Sequence, residues 1–362
     1  MPGAEQHFAQ DYKGARAQFL AACEAAQLPV QSHQHPMQGR DGEALAMDVA
    51  RLGARDAASL LVISSACHGV EGFCGSGVQN ALLCDAAFLQ ATKHSGVALL
   101  FIHALNPYGF SWWRRVTQEN VDLNRNWQDF SRTLPHNTAY DAIAHWLLPA
   151  QWPPSAENEA ALAAWAEQHG ARTLQTALTA GQYAHPQGLF FGGHCATWSQ
   201  QTLRHVLQEH GKRCSRLAWI DLHTGLGPSG HGERIFAYRP DDVALARARQ
   251  WWGAEVTSIY DGSSASTVLS GLMWQVVDAE CAQAEYTGIA MEYGTVPLAE
   301  VMLALRAEQW LDNHPEAPQA QRLAIKQQFR DAFYTDTAAW KQQVVAQGLH
   351  AALQAVAALG AS

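Results

Sequence analysis

The chain has 362 residues, enough for one large domain or two smaller ones, and its 48% hydrophobic and 16% charged content is ordinary for a globular protein. A formal net charge of −9 without any Lys/Arg block argues against nucleic acid as the main partner. Seven cysteines, an odd number with no CxxC pair, speak against a cysteine zinc site and fit a reduced compartment better than a disulfide framework.

In chain order, Phe8 to Gln27 carries Tyr12, Phe19, Leu20 and Cys23 at mostly helical spacing and predicts an opening helix. Ala44 to Leu52 alternates loosely, as an edge strand would. Ser59 to Ala66 is a short apolar run that stops at Cys67-His68-Gly69. Val97 to Ala104 is a second, ending at Asn106-Pro-Tyr-Gly109. A third, Leu217 to Leu222, ends at His223-Thr224-Gly225, and a fourth, Gly288 to Met291, ends at Glu292-Tyr293-Gly294. Short apolar segments bounded by Gly and Pro are what strands covered on both faces look like. Helical patterns lie between them, at Ser76–Ala91, Glu157–Thr179, Trp198–His210 and Asp242–Trp252. The expectation is an α/β fold with a mixed, largely parallel twisted sheet flanked by helices. Residues 1–362 read as a single catalytic domain, with a helical insertion around 133–215 and a helical C-terminal region around 297–362. No apolar run reaches the ~18 residues of a membrane span, and the first residues lack a signal-peptide core, so a cytoplasmic protein without a membrane partner is expected.

Ligands of open α/β sheets collect at the carboxyl ends of strands, and His68, His223 and Glu292 each fall at such an end. His68-Gly-Val-Glu71 sets an imidazole and a carboxylate on one face of a helical turn, close enough to share an ion. Two ligands leave zinc underbound; a third from far along the chain is needed, with a position left open, and His223 is the candidate. HxxE alone is a weak signal, because most such pairs are solvated. The run Val121-Asp-Leu-Asn-Arg-Asn-Trp127 strengthens it. Four polar residues alternating between apolar neighbours suit a buried segment that holds ligands. Arg114 and Arg115 follow two tryptophans just upstream, and guanidinium groups suit carboxylates and developing oxyanions.

These motifs, in this order, resemble those of the zinc carboxypeptidase superfamily. HGVEGFCGSGVQ, NPYGFSWWRR, ENVDLNRNW, GQYAHPQGLFFGG, IDLHTGLGPSGHGE and MEYGT look like its DUF2817 branch, over roughly residues 60–300. The resemblance implies one zinc ion per chain on His68, Glu71 and His223. It implies Glu292 as the general base, and Asp122 as the acceptor behind His68. Asn124 and Arg125 match the pair that binds a substrate carboxylate. Arg115, or alternatively Arg114, would polarise the scissile carbonyl. Tyr260 lies in the part of the chain where carboxypeptidases carry a closing tyrosine, but further from Glu292 than their spacing. The implied activity is hydrolysis of an amide in a peptide or N-acyl amino acid that carries a carboxylate. Thr224-Gly225 after the third ligand is instead similar to the aspartoacylase and succinylglutamate desuccinylase group, so a small-molecule deacylase is the alternative within enzymes. A catalytically silent metal- or peptide-binding protein is the alternative outside them; it would have no need of Glu292.

Gly225-Leu-Gly-Pro-Ser-Gly230 satisfies GxGxxG after a strand, but Pro228 and the strand-like Arg234–Tyr238 predict a turn-rich loop, not a dinucleotide site. No GxSxG, HExxH or Walker A sequence occurs. The Gly- and aromatic-rich stretch 181–193 reads equally as a mobile cover or a structural turn.

Overall fold

The computed structural model describes residues 3–361. Eight strands form one mixed sheet: β1 (Val30–Gln38), β2 (Ala44–Leu52), β3 (Ser59–Ser65), β4 (Ala98–His103), β5 (Arg216–Ser229), β6 (Gly232–Phe236), β7 (Thr257–Ser258) and β8 (Glu285–Gly294). Their spatial order is β1-β2-β4-β3-β5-β8-β6-β7. The central strands β4, β3, β5 and β8 run parallel, while β1/β2, β2/β4 and β6/β8 are antiparallel. Each of the four apolar runs is one of those central strands, and the α/β expectation holds.

Two strands extend beyond their apolar runs. β5 continues past His223 to Ser229, with a register shift against β8 after Thr224, and β8 continues past Glu292 to Gly294. The would-be GxGxxG loop is therefore the irregular end of β5. Ala44–Leu52 is a strand, but an interior one, because β1 covers its outer side. The true edge, Val-Gln-Ser-His-Gln-His-Pro-Met-Gln, is mostly polar and carries Pro36, so it lacks the apolar pattern of a core strand. Edge position tolerates both.

Helices cover both faces. The stretch 76–91 holds two helices, Gly72–Cys84 and Ala86–Ser95, divided at Asp85, whose carboxylate accepts the Phe88 N–H at 2.8 Å and caps the second. Residues 157–179 likewise divide at Gly170 into Ala156–His169 and Ala171–Thr179. After β8 come Leu298–Asn313, Gln319–Phe333 and Ala338–Gly360. One apolar core joins the opening helix, the sheet and the last helix, from Phe8 through Leu100 and Trp219 to Leu359. No helix among the described residues is long and apolar enough to cross a membrane.

Candidate active site

The site forms where β3, β5 and β8 end side by side. His223 of β5 is the register partner of Glu292 of β8, so the parallel ladder itself sets these two residues next to each other. His68 follows β3, on the other side of β5, and Glu71 lies in the tight turn Gly69–Glu71 that leads into the helix Gly72–Cys84. That turn is held by the arginine segment: Gly69 N–H donates to Arg115 O at 3.0 Å and Val70 N–H to Arg114 O at 2.9 Å. A Cβ on residue 69 would lie 2.1 Å from the Gly109 carbonyl carbon, so only glycine lets the two backbones approach this closely. HGVEG and NPYGFSWWRR are thus two halves of one local structure.

The Nδ1 atoms of His68 and His223 each lie 2.9 Å from a different oxygen of Glu71. One donor atom from each of the three residues lies within 4.8 Å of the others, and all three residues are buried. The far sides of both rings meet carboxylates. His68 Nε2 is 3.3 Å from Asp122 Oδ1, and His223 Nε2 is 2.6 Å from Asp221 Oδ2. Asp221 also accepts from Ser64 Oγ, which takes the Trp219 indole N–H at 2.7 Å. Burial alone would lower the pKa of His223, but Asp221 and Glu71 overcome it and hold that pKa well above the ordinary histidine value. Burial would likewise raise that of Glu71, yet the two histidines drive it well below the carboxylate range. In the chain alone, the raised pKa of His223 keeps positive charge beside this buried carboxylate. A divalent cation could take that place, with two nitrogens and a carboxylate as donors and a carboxylate near the far side of each ring. The donor set fits such an ion.

Glu292 is the fourth acidic group to consider. Burial, and then the charge of Glu71, push its pKa up to about 8, and among the described residues its carboxylate accepts only the Leu226 N–H, at 3.2 Å. Arg115 reaches Asp122 Oδ2 with Nε at 3.0 Å and Glu71 Oε1 with Nη1 at 3.2 Å. Arg125 spends Nε and Nη2 on Thr179 O, at 2.9 and 2.6 Å, and Nη1 on Asn124 O at 2.9 Å. Asn124 Oδ1 accepts the Met273 N–H at 3.2 Å.

A cavity with about 790 Å³ of empty space opens beside these groups, and His68, Glu71, Arg115, Asn124, Arg125, His223 and Glu292 all reach its surface. Arg114 does not. It is buried against Glu308, Asp312 and Asn120, where it joins helix Leu298–Asn313 to the arginine segment. Tyr260 also stands outside the cavity lining. Of the two adjacent arginines, only Arg115 faces the metal-ligand candidates. The 181–193 stretch is largely buried: Gln182 bridges to Phe191, Asn126 ties down Gly192 O, and Phe190 lines the cavity. Asp221 was not among the sequence-derived candidates. Its signal was present in Ile-Asp-Leu-His, because residues two apart on a strand share a face.

Solved structures similar to this one have the carboxypeptidase fold. Bovine thrombin-activatable fibrinolysis inhibitor, solved with tick carboxypeptidase inhibitor, aligns with a TM-score of 0.50 at 11% identity, over 98% of each chain. A metallo-carboxypeptidase from Burkholderia cenocepacia aligns at 0.43 and 11% identity, over 94% of this chain and 68% of that one. By the first of these alignments, the fold is of the carboxypeptidase-like α/β class. Within it, the chain belongs to the family described as "Protein of unknown function (DUF2817)", which matches residues 8–347. No curated protein matches it.

Proposed function

We propose that this chain is a zinc-dependent hydrolase that cleaves an amide bond in a peptide or N-acyl amino acid, with His68, Glu71 and His223 as the metal ligands. The observation that carries the proposal is the register pairing of His223 with Glu292, which sets a carboxylate of raised pKa beside the three donors. The donor set suits zinc, with two imidazoles and one carboxylate. When bound, the ion would supply a Lewis acid and lower the pKa of water to roughly 7.

The protein groups divide the remaining work. Glu292 takes a proton from the attacking water as its oxygen bonds to the amide carbon. It returns that proton to the nitrogen as the C–N bond breaks, and the second water proton leaves the new carboxyl group, so the products are a carboxylate and a protonated amine. Arg115 offers guanidinium donors to the carbonyl oxygen as negative charge builds there. Asp122 and Asp221 fix the ring planes of His68 and His223. Arg125, its plane set by the Thr179 and Asn124 carbonyls, and Asn124 would engage the substrate's carboxylate. Thr224-Gly225 after the third ligand favours N-acyl amino acids as the second substrate class to try.

C-terminal peptide libraries and N-acyl amino acids should be hydrolysed by the purified protein, with loss of activity on chelation and return on adding zinc. Glu292→Gln should keep its zinc and lose about 10²- to 10⁴-fold in kcat. A fully active Glu292→Gln protein would remove Glu292 from this role.

A further inference from the structure

The cavity is chemically two-sided. Every charged side chain on its surface belongs to the cluster just described: His68, Glu71, Arg115, Arg125, His223 and Glu292. Most of the rest is carbon. Leu298, Val301, Met302 and Leu305 recur at i, i+3, i+4 and i+7 along helix Leu298–Asn313, so one apolar stripe of that helix faces the cavity. Leu298 is 42% exposed, so the stripe runs out into solvent instead of ending inside the core. Phe333 continues the wall from the next helix, and a Cβ on residue 225 would meet its ring at 2.9 Å. Gly225 therefore lets the Phe333 ring pack close against the end of β5 and complete the apolar wall beside Val301.

We propose that this stripe is a specificity surface that receives an uncharged, apolar substituent, aliphatic or aromatic, flanking the scissile amide. The inference rests on the hydrolase reading and adds the substrate class. Arg115 and Arg125 belong to the charged cluster, where the hydrolase reading assigns them to the scissile carbonyl and the substrate's carboxylate, and the stripe itself offers only Leu298, Val301, Met302 and Leu305. A charged substituent laid on the stripe loses its hydration without gaining a partner there, whereas an apolar one gains by leaving water. Glu292 accepts the Leu226 N–H on one oxygen and keeps the other for a donor, so a cationic substituent is the strictest comparison.

The test uses the zinc-loaded protein and uncleavable ketomethylene analogues of N-acyl amino acids, titrated calorimetrically. One series varies the side chain (isobutyl, carboxyethyl, aminobutyl) and another the acyl group (hexanoyl, succinyl). In at least one series the apolar member should bind about tenfold tighter or more than every charged member, as expected for burying a leucine-sized group. Met302→Lys should abolish that preference and favour the anionic member. Leu298→Lys, at an exposed position of the same stripe, should shift the ratio in the same direction. Equal or tighter binding of charged analogues, no binding of any analogue, or unchanged ratios in both variants would overturn the inference. Hydrolysis of the parent amides is scored separately. Turnover without apolar preference defeats this inference alone, and apolar preference without chelator-sensitive turnover defeats the hydrolase reading alone.

Discussion

Asp221 and Asp122 do comparable work on the two histidines, yet their environments differ. Asp221 sits on β5 two residues before His223 and is itself held by Ser64, whereas Asp122 is shared between His68 and Arg115. Replacing either with Asn keeps the shape but removes the charge behind the ring. Each variant should lose about 10- to 100-fold in zinc affinity by competition with a chromogenic chelator; wild-type affinity in both would deny them a positioning role. Glu292 gives a different signature in the metal-free protein. The folded chain holds this proton more tightly than the unfolded chain, whose carboxylate has the ordinary value of 4.5. The resulting stabilisation is complete below that value and is lost as pH rises through about 8. Between those limits, the urea midpoint of the metal-free wild type should fall relative to that of metal-free Glu292→Gln. Parallel pH profiles would show that burial does not raise this carboxyl. At this scale the sequence was informative, because His68, Glu71, Arg115, Asp122, His223 and Glu292 are chemistry-bearing types at ordered positions. Asp221 escaped notice because it read as part of an apolar strand.

Among the elements, the decisive contact is backbone on backbone. The His68–Glu71 turn rests on the carbonyls of Arg114 and Arg115, and Gly69 lies too close to Gly109 for any side chain. Gly69→Ala should therefore displace the turn. The expected result is a loss of at least about tenfold in zinc affinity, with destabilisation of about 1–3 kcal/mol in chemical denaturation. Unchanged values in both measurements would mean that the two segments separate easily. The four central strands were legible from their continuous apolar runs, which only doubly covered strands require. β1 was not, because an edge strand needs little apolar surface. The breaks at Asp85 and Gly170 were also invisible to periodicity, which continues across a capped corner. Arg114, one residue from Arg115, shows the same limit. Adjacency in sequence cannot say which side chain turns inward, and here Arg114 is taken by Glu308 and Asp312.

Across the whole molecule, the C-terminal helices are structural as well as part of the site. Val344, Ala351, Ala355 and Leu359 of the last helix are buried in the main core. Trp340 Nε1 donates to Gly294 O at 2.8 Å, at the end of the strand that carries Glu292. A chain ending before Ala338 should lose cooperative unfolding in calorimetry; a sharp transition in that truncation would show that the last helix is dispensable. The helical character of this region was readable from its pattern. Its role as a cavity wall was not, since spacing shows that a stripe is apolar without showing what it faces.

If His68, Glu71 and His223 hold one metal ion, crystals grown with zinc and measured on both sides of the zinc absorption edge will show it directly. A single strong anomalous peak per chain is expected, between the Nδ1 atoms of His68 and His223 and the carboxylate of Glu71. A peak elsewhere with these three residues unligated, or no peak from zinc-saturated protein, would contradict it.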